Sequence, residues 1–223
     1  MDLDESIQRL EKLIAEVRLA SLIDDKTILG SALALQQEAR LINEGASEFQ
    51  VVVFGDLNDF KQLNDDYSHE AGNVAITSVG EIIHKLVIED LGAKAFRQSG
   101  DEFVLLLKVE SVVHFLSSVF SLGNIPFSHK KQELKTAMSL GYALSDGKTS
   151  FSDLLERAEA ACQNAKALGD GACVEWTEDS SLNPLVRKTA KCRKCGGARI
   201  SWNGPKQLAP VALKYCPGCG EAL

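Results

Sequence analysis

No run of apolar residues in the sequence approaches the roughly 18 in succession that a membrane-spanning helix needs. The first residues, Met1-Asp2-Leu3-Asp4-Glu5, lack the basic stretch and apolar run of a secretory leader, so a cytoplasmic protein with no membrane partner is expected. Internal repeats and low-complexity stretches are missing too. With 45% apolar and 25% charged residues, the 223-residue chain lies far from disordered or fibrous compositions. A secreted disulfide framework is also not indicated, because four of the six cysteines crowd into residues 192–219 as two Cys-x-x-Cys pairs.

The net charge of −7 hides a division. Residues 188–223 carry seven Lys or Arg against one Glu, a local +6 that leaves −13 for the rest. The length suits one large domain or two small ones, and this break favours two modules. Cys192-x2-Cys195 and Cys216-x2-Cys219, twenty residues apart and each followed by Gly, supply four thiolates, the ligand set of a tetrahedral structural Zn²⁺. So short a module buries little core, and metal binding is expected to supply most of its folding energy. Two matched pairs outside a thioredoxin-like setting argue against a redox role. The Lys and Arg excess with Trp202 and Tyr215 suits nucleic acid. Docking on the acidic part of the chain or on a partner protein explains the same composition and is preferred, since no Arg-rich run or repeated aromatic platform occurs. Cys162 and Cys173 read as small buried residues.

Along the chain, Leu3, Ile7, Leu10, Ile14 and Val17 recur at steps of four and three, which predicts an amphipathic helix over 1–21. Two heptads are short for a coiled coil, so packing on its own domain is expected, with self-pairing as the alternative. A second helix is predicted over 26–43, and Gln50-Val51-Val52-Val53-Phe54-Gly55-Asp56-Leu57 as a strand buried on both faces. A helix over 71–88 follows, then strands over 94–97 and 103–108 joined by a hairpin turn at Ser99-Gly100-Asp101-Glu102, and a helix over 112–122. The pattern closes with a strand over 134–143, a helix over 151–168 capped by Ser150 or Ser152 and stopped by Gly169, and a strand over 172–176. Alternating strands and helices with one hairpin imply an α+β fold, a ferredoxin-like mixed sheet with surrounding helices.

Chemistry gathers where strands end. Asp56 closes the first buried strand and Asp101 and Glu102 sit at the hairpin tip, so if the two strands are neighbours the acids converge at one sheet edge. Carboxylates with a backbone carbonyl make an oxygen cage for Mg²⁺, which is commonly shared with substrate phosphates. Gly100 lets the turn approach those phosphates. The series Asp56-Leu57-Asn58-Asp59-Phe60-Lys61-Gln62-Leu63-Asn64-Asp65, then His69-Glu70-Ala71-Gly72-Asn73, then Arg97-Gln98-Ser99-Gly100-Asp101-Glu102-Phe103 resembles the GGDEF-domain family of diguanylate cyclases in order and spacing. Met138-Ser139-Leu140-Gly141 and the helix ending Ala165-Lys166-Ala167-Leu168-Gly169 resemble the family's closing strand and helix.

The resemblance covers 22–178 and implies a GGDEF or palm fold in which two domains, each holding one GTP, face each other as a homodimer. Each 3′-hydroxyl attacks the other nucleotide's α-phosphate, releasing pyrophosphate and giving cyclic di-GMP. Carried over by position, Asp56, the Leu57 carbonyl and Asp101 hold Mg²⁺ (or Mn²⁺), and Glu102 supports the active-site loop and the reacting hydroxyl. Ser99 and Gly100 form the loop against the substrate, Asn64 and Asn73 contact the base, and Lys61 and Lys166 hold the terminal phosphates. The chain then divides into an N-terminal helix (1–21), the cyclase-like domain (22–178), a linker (179–189) and a small zinc-ribbon domain (190–223).

Several positions depart from the family pattern. Ser99 stands for the signature's first Gly, Asn58 for the second Asp at the strand end, and Asp170 for the Arg after the Ala-Lys motif. Lys26-Thr27-Ile28-Leu29-Gly30-Ser31 replaces Leu-Thr-Gly-Leu-x-Asn-Arg, and Asp90-Leu91-Gly92-Ala93 replaces the inhibitory-site Arg-x-x-Asp, so product feedback is not expected. Asn73 stands where an Asp accepts from guanine N1 and N2, and its amide suits the adenine N1 and N6 edge better, so ATP as well as GTP is a candidate substrate. These departures also leave open a catalytically silent GGDEF-like regulator that binds nucleotide, protein or nucleic acid.

Overall fold

The computed structural model describes residues 3–168, 170–177, 184–191 and 198–202. They form α1 (Leu3–Ala20), α2 (Ala32–Asn43), β1 (Val51–Leu57), α3 (Phe60–Asp66) and α4 (His69–Ile83), the last continued by a π-helical stretch, His84–Glu89. The β2 (Lys94–Ser99) and β3 (Glu102–Leu107) hairpin follows, then α5 (Val112–Ser118), a hairpin of β4 (Ile125–His129) and β5 (Gln132–Thr136), and β6 (Met138–Leu144). The chain then passes through α6 (Phe151–Leu168), β7 (Cys173–Glu175), β8 (Pro184–Lys191) and β9 (Ala198–Trp202).

The main sheet has the order β2-β3-β1-β6-β7-β8-β9. β1 lies antiparallel to β3 and β6, and β6 pairs parallel with β7 across the α6 crossover, so the sheet is mixed as expected. Because side chains alternate along a strand, β1 feeds two cores. Val51, Val53 and Leu57 pack with Ile76, Val79 and Ile83 of α4 and Phe115 of α5, while Val52 and Phe54 pack with Leu35 of α2 and Leu154, Ala158 and Cys162 of α6. Each such fully buried side chain contributes about 1.5–3 kcal/mol, which explains why β1 has no polar face.

The stretch His69–Glu89 is, by length and composition, apolar enough to cross a membrane. Its apolar residues have a use inside the fold, since Ala71, Ala75, Ile76, Val79, Ile83 and Val87 are all buried.

The structure departs from the sequence expectations at several elements. The second helix begins at Ala32 rather than 26, with Ser31 as its cap. Before it, Asp24 accepts from the Lys26 and Thr27 amides, and Gly30 bridges to Phe96 beside β2. The helix expected over 71–88 is α4 with its π-helical continuation, capped by Ser68, but a helix that was not expected, α3, precedes it. The strand expected over 134–143 is split between β5 and β6, and the β4–β5 hairpin turns at Lys130 and Lys131, both at positive φ, 49° and 67°. Most sequences place Asn or Gly there, so the turn carries no sequence signal. Finally, α1 is not packed on its domain: Ile7, Leu10 and Val17 are 45%, 58% and 67% exposed.

Residues 184–189, read as linker, lie in β8, which pairs with β7 through Cys173 and Val186. β8 pairs in turn with β9, Lys191 opposite Ala198. Cys192, Cys195, Cys216 and Cys219 lie outside the described residues. Cys162 and Cys173 are free and buried, as their small size suggested.

Candidate functional site

Register brings the acids together. Asp56 lies opposite Glu102 on β3 and opposite Ser139 on β6, and the Leu57 amide donates to the Asp101 carbonyl at 3.2 Å. The end of β1 and the hairpin tip therefore form one edge. The turn itself is clamped from behind: Arg97 Nε and a terminal guanidinium nitrogen donate to the Gly100 carbonyl at 3.0 and 2.8 Å, and the other terminal nitrogen pairs with Asp24 at 3.2 Å. Gly100 has φ +39°, a conformation that an L side chain would strain. Ser99 donates from its hydroxyl to Glu102.

Asp24 is held below the usual carboxylate range: burial opposes this, but hydrogen bonds from Thr27 and the Arg97 charge outweigh it. Asp24 and Arg97 are positioning residues that the sequence reading did not single out. The signal for Asp24 was available, since an Asp three residues before Thr27 is a common turn-capping spacing.

Across the edge, the Lys166 ammonium sits 2.7 Å from Asp56 Oδ1. Its reach follows from helix placement. A Cβ at Gly141 would lie 2.1 Å from the Cys162 amide nitrogen and 2.2 Å from the Ala158 carbonyl, so the α6 backbone rests directly on β6. Lys166 is one turn beyond Cys162 on the same face. Burial pulls the Lys166 ammonium down, but the hydrogen bond and charge of Asp56 prevail and its pKa is raised. Burial together with the charges of Asp56 and Glu102 raises the Asp101 carboxyl.

Among the described residues no group of three or more His, Cys, Asp or Glu is gathered closely enough to hold a metal unaided. The expected cage has only two carboxylates, Asp56 and Asp101, and one of them, Asp56, is paired with Lys166. Two carboxylates and a carbonyl still fit Mg²⁺, which keeps several waters and takes its remaining ligands from phosphates. Strand register supports that fit, since it sets Asp56 opposite Glu102 and bonds the Leu57 amide to the Asp101 carbonyl at the same edge.

The residues expected at the base lie on the neighbouring helices. A Cβ at Gly72 would fall 2.1 Å from Asn64 Oδ1, so the Asn64 side chain of α3 occupies space that only glycine leaves free on α4. Asn73, on the next residue, accepts from Lys26 Nζ at 2.8 Å. Lys61 is exposed on the first turn of α3.

Two departures noted in the sequence prove to be one contact. Asn58 Nδ2 donates to Asp170 Oδ1 at 2.9 Å, while Asn58 Oδ1 accepts from the Ser139 hydroxyl at 2.8 Å. The amide links the end of β1, β6 and the loop after α6, and supplies the Asp170 carboxylate with a hydrogen-bond donor.

The family model described as "Diguanylate cyclase, GGDEF domain" matches residues 21–172. The chain is 26% identical over 175 residues to the diguanylate cyclase DgcN of Escherichia coli, covering 74% of this chain and 42% of that protein. It is 31% identical over 169 residues to the bifunctional diguanylate cyclase/cyclic di-GMP phosphodiesterase MucR of Pseudomonas aeruginosa, covering 73% of this chain and 22% of that one. The chain therefore spans less than half the length of these relatives. Among solved structures, that of diguanylate cyclase SiaD in complex with its activator SiaC, from Pseudomonas aeruginosa, superposes with TM-score 0.63 at 25% identity, covering 77% of this chain and 68% of that one. The coiled coil and GGDEF domain of DgcB from Caulobacter crescentus, in complex with c-di-GMP, superposes with TM-score 0.66 at 21% identity, covering 77% and 94%. With the motif order, the mixed sheet and the acid edge in place, the chain belongs to the GGDEF-domain family of diguanylate cyclase-like nucleotidyltransferases.

Proposed function

We propose that the chain joins two nucleoside triphosphates into a cyclic dinucleotide, cyclic di-GMP or a product of altered base choice, with release of pyrophosphate. The observation that carries this is the meeting of Asp56, Asp101 and Glu102 with Lys166 at one sheet edge. Asp56, Asp101 and the Leu57 carbonyl would hold Mg²⁺ or Mn²⁺, which when bound neutralises phosphate charge in this kind of transfer. Lys166 exchanges its Asp56 partner for a terminal phosphate, and Lys61 meets the same group from α3. Ser99, Gly100 and the Arg97 clamp shape the loop under the phosphates. Glu102 orients the 3′-hydroxyl, and Asn64 and Asn73 take the base.

Each domain holds one nucleotide, so turnover needs two chains face to face, and the apolar stripe of α1 pairs them. The chain acts in the cytoplasm without a membrane partner. Its division is helix 1–21, cyclase domain 22–178 and ribbon 190–223, joined through 179–189, of which 184–189 lie in β8. In the ribbon Cys192, Cys195, Cys216 and Cys219 bind one Zn²⁺, and its basic surface docks on protein or on nucleic acid.

One observation favours a second reading, a silent GGDEF-like regulator: the Asp170 carboxylate stands where a phosphate-binding Arg is expected and is already satisfied by Asn58. Incubation of the chain with each NTP and Mg²⁺ or Mn²⁺, with products separated by mass, decides between them. Pyrophosphate with a cyclic dinucleotide is expected. No product from any NTP, alone or in pairs, overturns the enzyme reading and leaves the regulator.

A further inference from the structure

Asn73 does not stand alone at its end of α4. Segment 22–31 folds back over the helix and is anchored to it at the Lys26 carbonyl, which accepts from the Thr77 hydroxyl at 3.1 Å, a hydroxyl shared with the Asn73 carbonyl of its own helix. Below, a Cβ at Gly80 would lie 2.7 Å from the Thr27 carbonyl and 2.8 Å from Thr27 Cα, so loop and helix touch main chain to main chain. Asp24 fixes the loop's own turn by accepting from the Lys26 and Thr27 amides at 3.1 and 3.0 Å. With both backbones held, Lys26 and Asn73 stand side by side on the surface, and the Lys26 ammonium donates to Asn73 Oδ1 at 2.8 Å.

That bond decides how the amide faces its surroundings. Asn73 has one oxygen and two N–H hydrogens. Its oxygen is turned to an ammonium, so the hydrogens face away, and the ammonium brings two more donors and a positive charge. We propose that Lys26 is a specificity-determining residue of the nucleotide site, converting Asn73 into a donor-rich reader of the base.

The inference rests on the nucleotide reading above and deepens it. A guanine presenting N1–H and N2–H₂ meets donors and positive charge, which is unfavourable. An adenine presenting its N1 acceptor meets a matched donor. The attraction of Lys26 for the triphosphate is common to both nucleotides and cancels in their ratio. A carboxylate introduced at position 73 would pair with Lys26 before it met a base, so restoring the family's acid there is not by itself enough to restore guanine readout.

The test uses the full chain with Mg²⁺ and the GTP and ATP analogues carrying a methylene bridge between the α- and β-phosphates, which bind without turnover. Calorimetry gives the affinity ratio for the unmodified chain, Lys26→Leu, Asn73→Asp and the double variant. Lys26→Leu is expected to raise the guanine-to-adenine ratio about fivefold to tenfold, the scale of one hydrogen bond. Asn73→Asp alone should shift the ratio less than Lys26→Leu with Asn73→Asp, which should shift it most. Lys26→Met, of similar length without the charge, must repeat the Lys26→Leu result, and circular dichroism checks that each variant is folded. An unchanged ratio in Lys26→Leu and Lys26→Met, or the full shift from Asn73→Asp alone, overturns the role of Lys26 while leaving the nucleotide site intact. Absence of binding by either analogue to the unmodified chain removes the site and this inference together.

Discussion

Asp101 sits among like charges. Burial, then Asp56 and Glu102, disfavour its ionised form, and a backbone hydrogen bond together with the nearby Lys166 relieves only part of that. A partly buried carboxyl with two acidic neighbours at a sheet edge is a candidate functional group, in keeping with the metal-holding role proposed for it. Asp101→Ala is therefore expected to lower cyclase activity by roughly 100-fold or more, the scale of losing one preorganised charge-stabilising group. The fold should change by no more than about 0.5 kcal/mol, because the residue lies at a turn and creates no core cavity. Initial rates and denaturant melts on one preparation check both parts, and undiminished turnover removes Asp101 from the mechanism. Asn58 and Asp170 allow a second test. Because they touch, Asn58→Asp and Asp170→Arg should be coupled, with the double variant binding triphosphate more tightly than the sum of the singles by about 0.5–3 kcal/mol. Simple additivity in the calorimetric affinities would show that the contact has no bearing on the phosphates.

The placement of α6 explains how a lysine far from β1 in sequence reaches its end. The helix backbone rests on Gly141, and Cys162 donates to the Ser139 carbonyl from the same face. Gly141→Ala pushes a methyl into main chain that has no flexible side chain to yield, so it is expected to cost about 1–3 kcal/mol by overpacking. If the folded variant also loses nucleotide affinity, the helix shift has carried Lys166 from its post. Unchanged stability in urea would mean that the helix lifts without cost. Much at this scale was readable beforehand. The unbroken apolar run of Val51 to Phe54 announced a strand with two buried faces, and Ser150 caps α6 by accepting from the Asp153 amide. The β4–β5 hairpin was not readable, since its turn places two lysines at positive φ. The late start of α2 was not either, because what holds residues 22–31 out of a helix is contact with Phe96, Arg97 and α4.

For the whole molecule, the exposed apolar stripe of α1 and the proposed need for two half-sites point the same way. Leu10→Glu with Val17→Glu is expected to give a monomer in light scattering that still binds a triphosphate analogue and no longer turns over. A dimer that survives both changes would place the pairing surface elsewhere. The basic end of the chain carries its own test. Protein purified under reducing conditions should hold one zinc per chain, and Cys192→Ser with Cys216→Ser should release it and unfold 190–223, sparing the main sheet around β1. Metal analysis without zinc, or a melt in which the main core is lost together with the tail, contradicts that arrangement.

What the amino-acid order determined alone was local and periodic: the two-faced strand, the amphipathic helices, the two Cys-x-x-Cys pairs, and the acids at strand ends whose spacing identifies the family. These are properties of neighbours in the chain, and periodicity reports them directly. Tertiary structure alone decided which distant groups meet. Lys166 reaches Asp56, Asp170 is held by Asn58, Arg97 clamps Gly100 against Asp24, and Lys26 turns the amide of Asn73. Each of these contacts depends on strand register or on helix and loop backbones packed too closely for a side chain between them, and neither quantity is encoded in the spacing of residues along the chain.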